Sequence, residues 1–219
     1  GPPLPRKVPE VPEAAWTELA SNYRRAVTEC SEASDNFHLA AFMTVAGAIL
    51  ERLVSFHMGN ELHTNFFTAL VGRSGRARKG TAMDYASKLA RAVWPNLYWI
   101  RSINSSEGLV QAMQTLQNGQ EDRKKISVGL RFSELRSFVD RASREGTRSI
   151  IPDISDAFDC PPTMERRTVK PAIVFAPTIS ILGGASPSWL EKLNVDDLTG
   201  GIGYSFCWVV GKAKPLMPS

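Results

Sequence analysis

The sequence predicts an α/β fold with a mainly parallel sheet, and three observations carry that expectation. Short apolar runs at residues 66–71, 97–100 and 126–132 alternate with stretches of helical periodicity. The first run is apolar almost throughout, as in a strand buried on both faces. It leads through a glycine- and cation-rich turn, Gly72-Arg73-Ser74-Gly75-Arg76-Ala77-Arg78-Lys79-Gly80, into a helical pattern that opens at Thr81 and continues through Met83, Ala86, Leu89, Ala90 and Val93. The 219 residues accommodate one such domain with a helical region attached. A hydrophobic content of 43% and a charged content of 22% are ordinary for a soluble globular chain, and a net charge of +4 tolerates a nucleic-acid partner without requiring one.

Taken in order, residues 1–13 contain five prolines and predict an extended linker or arm. Residues 14–30 predict a helix with Trp16, Leu19, Tyr23 and Val27 along one face. Ser34 or Asp35 caps the next helix, expected over 37–56, which is apolar almost all round. His38, Glu51, Arg52 and the shortness of the uninterrupted run make it a buried helix rather than a membrane span. Gly59-Asn60 ends it. Residues 14–60 therefore form an N-terminal helical region packed on a core of residues 61–219.

Within that core, Asn104 with Glu107 three residues on predicts the start of a helix that runs through Leu109, Val110, Met113 and Leu116. Helices are expected at 136–144 and 150–158, Glu165-Arg166-Arg167 as a charged turn, and strand material at 172–176 and 178–182 with Gly183-Gly184-Ala185-Ser186 at the tip. A helix over 187–193 begins with Pro at a first-turn position, and Gly200-Gly201 precedes a last strand at 204–210. The odd, scattered cysteines (Cys30, Cys160, Cys207) predict a reducing, cytoplasmic setting without a disulfide framework, and His38, His57 and His63 form no ligand motif.

The turn after residue 71 has the logic of a phosphate-binding loop. Gly72, Gly75 and Gly80 let a ligand approach the main chain, the helix start attracts anions, Lys79 reaches phosphate oxygens, and the Thr81 hydroxyl suits Mg²⁺. With Ser74 and Arg78 these residues form the candidate nucleotide site. The spacing is a variant, because Gly80 stands between Lys79 and Thr81 and the loop is about one residue longer than usual. Four cations in residues 73–79 fit nucleic-acid phosphates as well as a nucleotide. A second element is a carboxylate at a strand end. Glu134, after the strand at 126–132, is the candidate catalytic base and metal-shell ligand, with helix capping as its other reading; Ser133 stands where an Asp is usual. Ser186 is a candidate γ-phosphate sensor. Arg166 and Arg167 are candidates for an arginine supplied to a neighbouring subunit, or for a solvated face.

Together, Asn65 to Gly72, Arg78-Lys79-Gly80-Thr81, Ser106-Glu107-Gly108-Leu109, Phe132-Ser133-Glu134-Leu135, Ile179 to Pro187 and Gly200-Gly201-Ile202 resemble segments of helicase-like P-loop ATPases of phages, plasmids and other mobile elements, often associated with primase-polymerase domains. The resemblance spans about residues 35–210. It implies a RecA-like or AAA+-like core, ATP and Mg²⁺ as ligands, DNA as partner, a homo-oligomer, and a primase or other replication partner, with no membrane. It matches Lys79 and Thr81 to the phosphate and Mg²⁺ positions and Glu134 to the acidic one. It departs at Ser205, where similar members carry Arg. A degenerate nucleotide- or DNA-binding module without hydrolysis is the alternative.

Overall fold

The computed structural model describes residues 8–121, 124–142, 150–167, 171–192 and 201–215. A short 3₁₀ turn, Glu13–Ala15, precedes helix α1 (Glu18–Thr28) and helix α2 (Asp35–Leu50). A hairpin of β1 (Ser55–Met58) and β2 (Asn60–His63) follows, then β3 (Phe67–Val71) and α3 (Lys79–Val93). Next come β4 (Tyr98–Ile100), α4 (Ser106–Asn118), β5 (Ile126–Phe132), α5 (Leu135–Ala142) and α6 (Ile150–Phe158). A second hairpin, β6 (Thr163–Arg166) with β7 (Ala172–Phe175), leads into β8 (Pro177–Ala185), α7 (Pro187–Leu190), α8 (Gly201–Ser205) and β9 (Phe206–Val210).

The protein is α/β. Its central sheet has five strands in the order β4-β5-β8-β3-β9, and every neighbouring pair is parallel. All five strands therefore end at one edge. The strand before the basic loop (β3) and the strand before Glu134 (β5) are not neighbours, since β8 lies between them. Alternation along β3 divides the core. Phe67, Ala69 and Val71 join Val110, Met113, Phe138 and Ile154 on one face; Leu70 joins Phe37, Val45, Met83 and Ala86 of α2 and α3 on the other. Helix α1 forms an outer layer, burying Ala20, Tyr23 and Val27 against Phe42 of α2. Among the described residues no helix is long and apolar enough to cross a membrane, and all three cysteines are free.

Several sequence expectations shift. The second helix ends at Leu50 rather than 56, because Glu51 adopts φ 52° and the chain turns into the first hairpin. That hairpin closes at Gly59 (φ 81°), a position whose backbone favours glycine. It leaves Phe56, Met58 and Leu62 exposed, and the boundary expected between 60 and 61 falls inside it. Helix α2 packs directly on the sheet, as a layer of the core. Glu165 and Arg166 belong to strand β6, not to a turn. Gly183 and Gly184 lie within β8, not at a tip beyond it, and the last strand starts at Phe206 because Gly201–Ser205 is helical. Of the two helix starts, Ser34 caps α2 by accepting from Asn36 N at 3.3 Å, and Ser105 rather than Asn104 caps α4 by accepting from Gly108 N at 3.0 Å. Gly200, and the ends of the helices expected at 136–144 and 187–193, lie outside the described residues.

His38 is buried on α2, with Nε2 2.8 Å from Ser31 Oγ and Nδ1 3.5 Å from Tyr23 OH. Burial, aided by Lys214 and opposed by Asp35, lowers its pKa from 6.5 to about 4. Between those values the unfolded chain binds a proton that the folded chain refuses. Stability present above pH 6.5 is therefore expected to fall as pH drops towards about 4, by about 3 kcal/mol from this group. Urea unfolding of the wild type and of His38→Gln at pH 7 and pH 4.5 checks this: the variant should lose less stability across the interval.

Candidate functional site: the basic loop at the carboxyl edge of the sheet

Residues 72–78 connect β3 to α3 at the edge where all five strands end. The loop is anchored at its base, where Gly72 N donates to Ala185 O at 3.1 Å and Gly211 N donates to Val71 O at 3.2 Å. Inside it, Ala77 N donates to Arg73 O at 3.0 Å. Gly75 turns at φ 72°, and Arg78 occupies the left-handed region at φ 55°, where a side chain costs about 1–2 kcal/mol. Gly72 has no room for a side chain, since a Cβ there would lie 2.5 Å from that of Ala77.

Lys79 is the first residue of α3, and its side chain is only 6% exposed. Its Nζ donates to the Gly72 carbonyl at 2.6 Å and lies 3.8 Å from Glu134 Oε1. Burial pushes the Lys79 ammonium below its ordinary pKa, and Glu134 partly restores it. Glu134 is 41% exposed and accepts a 3.2 Å hydrogen bond from Ser74 Oγ. Its carboxylate thus meets the loop across the width of β8. Gly184 of β8 permits this approach: a Cβ there would lie 2.4 Å from the Ser133 carbonyl oxygen and 3.1 Å from Lys79 Cε.

Among the described helices, α3, α5, α7 and α8 have no acid in the first turn, and of these α3 opens on a buried lysine. Helices α1, α2, α4 and α6 each carry an acid in the first turn (Glu18, Asp35, Glu107, Asp153), which complements the positive end of the helix dipole. Helix α3 has no acid in its first turn, no capping side chain, and a buried lysine instead. Its first-turn amides and its ammonium converge on the same loop. That arrangement favours an anion, a role the Glu134 carboxylate partly fills in this structure.

The structure brings together Gly72, Ser74, Lys79 and Glu134, whereas other expected site residues stand apart from that cluster. Arg78 turns away to Glu32, with Nε 2.6 Å from Oε2. Thr81 sits in the first turn of α3, two residues beyond Lys79 and so rotated about 200° round the helix from it. Gly80 is exposed with open space where a Cβ would stand. Ser186 follows Ala185 at the loop base, and its Oγ lies 3.3 Å from that of Ser188. Arg166 is half-buried and committed: it pairs with Asp153 of α6 and donates from Nε to Ser106 Oγ at 2.8 Å, fastening the second hairpin to α4 and α6. Arg167, just past β6, is 92% exposed and lies 3.6 Å from Glu165 of that strand.

Sequence reasoning missed the seating role of Gly184, although the paired glycines were visible. Nothing local marked Glu32 as the partner of Arg78, or Asn36, whose Nδ2 donates to both Pro9 O and Val210 O at 2.9 Å. Among the described residues no group of three or more His, Cys, Asp or Glu is placed to cage a metal. Neither a protein-family model nor a curated protein matches the chain.

Proposed function

We propose that the chain binds a nucleoside triphosphate, ATP, at the loop of residues 72–81 and hydrolyses it as a helicase-like P-loop domain acting on DNA. The observation that carries the reading is the start of α3, where uncapped amides and the buried Lys79 ammonium face the loop with only the half-exposed Glu134 carboxylate, 3.8 Å away, to offset them. The parallel sheet, with β8 between the loop strand and the carboxylate strand, is compatible with a RecA-like or AAA+-like core.

In this reading the β- and γ-phosphates displace the Gly72 carbonyl from Lys79 and accept from the ammonium and the first-turn amides. Glu134, released from Ser74, accepts a proton from the attacking water. The donor set fits a Mg²⁺ carried mainly by phosphates and water, since the cluster offers the Glu134 carboxylate rather than a cage and the expected Thr81 hydroxyl stands on another face of α3. The metal would neutralise charge on the phosphates. Arg167 is the better placed of the two arginines to serve a neighbouring subunit of a homo-oligomer, because Arg166 is committed to Asp153 and Ser106. A module that binds without hydrolysis is favoured by one observation: Ser133 and Ser205 stand where an acid and an arginine would strengthen the site. A primase or other replication partner remains part of the same proposal.

Mg²⁺-ATP binding by calorimetry and turnover with and without single-stranded DNA test the function. Lys79→Ala is expected to weaken binding roughly 10- to 100-fold, the worth of one charge-assisted contact to phosphate, and to abolish DNA-stimulated turnover with the circular dichroism spectrum unchanged. Binding with no turnover in the wild type would favour the non-hydrolysing module. Absence of binding would remove the nucleotide reading.

A further inference from the structure

A cavity of about 550 Å³ opens beside the loop, on its β9 side, within the size range of small-molecule pockets. Val8 of the N-terminal arm, Val71, Pro187 and Val210 give it apolar walls. Arg73, Arg76, Lys212 and Glu191 bring charge to it. Gly72 also lines it, and the Gly72 carbonyl is the one that accepts from Lys79 Nζ. The cavity and the Lys79 cluster therefore share a residue.

We infer that this cavity takes the nucleoside half of the nucleotide, with Glu191 reading its ribose; this rests on the reading of the loop as a triphosphate site. A base has apolar faces, which suit the valine and proline walls. Three cations with one carboxylate suit a ligand that is anionic yet also carries hydrogen-bond donors. The ribose hydroxyls are such donors, and inorganic polyphosphate has none. Glu191 would repel the phosphate end, which orients the ligand with its phosphates toward Lys79.

The walls are held by the chain's own bonds. The Asn36 amide, donating to Pro9 O and Val210 O, joins the arm beside Val8 to the end of β9. Lys214 N donates to Glu32 O at 2.8 Å, and the Glu32 carboxylate holds Arg78 of the loop. Arm, loop and the segment after β9 are thus fastened around the cavity by residues 32–36.

Calorimetric titration with Mg²⁺-ATP and with inorganic tripolyphosphate tests the assignment. The wild type should bind ATP roughly tenfold more tightly than tripolyphosphate. Ala213 lines the cavity and is exposed, so Ala213→Trp fills it from the rim. That variant should lose the advantage of ATP and keep its tripolyphosphate affinity. Glu191→Gln, also at an exposed position, provides an independent arm: it should weaken ATP while tripolyphosphate binds equally well or better. ATP affinity unchanged in both variants would overturn the nucleoside site and leave the loop assignment standing. Wild-type protein that binds neither ligand would remove the loop assignment, and the nucleoside site with it.

Discussion

Gly184→Ala is expected to destabilise the protein by about 3 kcal/mol and to weaken nucleotide binding along with stability. In an open strand the same change would gain roughly 0.5–1 kcal/mol, because glycine loses more backbone freedom on folding. Here the new methyl meets the Ser133 carbonyl oxygen at 2.4 Å. That oxygen belongs to the backbone linking β5 to α5, so relief requires moving the segment that carries Glu134. The Lys79 Cε, 3.1 Å away, must also shift. The clash therefore acts on both ends of the Lys79–Glu134 pair. Urea unfolding gives the stability loss, and Mg²⁺-ATP titration without urea, at a temperature where the variant is folded, gives the binding loss. Wild-type values in both would show that β8 does not seat the site as described.

Arg52→Ala is expected to cost about 3 kcal/mol and to spare the site. Arg52 Nη2 donates to the carbonyls of Cys160, Pro161 and Pro177 at 2.7, 2.7 and 2.8 Å. These tie the end of α2 to the chain after α6 and to the first residue of β8. Around this knot Glu51, Cys160 and Ala176 all take positive φ (52°, 49° and 41°), conformations that side chains resist and that only surrounding contacts maintain. Removing the guanidinium leaves three carbonyls without their donor and the strained backbone without its anchor. The knot lies at the amino end of β8, opposite the loop, so ATP affinity of the folded variant should match the wild type. Thermal and urea unfolding measure the first effect and calorimetry the second. A loss below about 1 kcal/mol would mean that water replaces the arginine.

The two substitutions probe different ends of one sheet, and the sequence prepared for them unequally. Parallel strands were legible at residues 66–71 and 126–132 because strands buried on both faces need continuous apolar runs. The basic loop was legible because glycine and clustered cations are local features. The β1–β2 hairpin was not, because residues 51–56 still carry Leu53, Val54 and Phe56 at spacings a helix tolerates and only the backbone of Glu51 breaks the helix. Strand β6 was hidden by its charge, since Glu165 and Arg166 read as a polar turn and the partners of Arg166, Asp153 and Ser106, lie far along the chain.

The candidate site divides along the same line. Composition and spacing alone determined an α/β chain with Lys79 in the turn before a helix expected from Thr81 and Glu134 just past a strand end, since each depends on a few consecutive residues; that α3 already begins at Lys79 came from the structure. Only the tertiary structure decided that these two side chains meet, that Ser74 joins them, that Arg78 is drawn off by Glu32 and Arg166 by Asp153, and that Gly184 must lack a side chain. Those outcomes follow from strand order. With β8 placed between β3 and β5, residues more than fifty positions apart come within hydrogen-bonding distance, as Ser74 and Glu134 do. No local pattern encodes such a meeting, because it is set by which strands pair and by the steric room left between them.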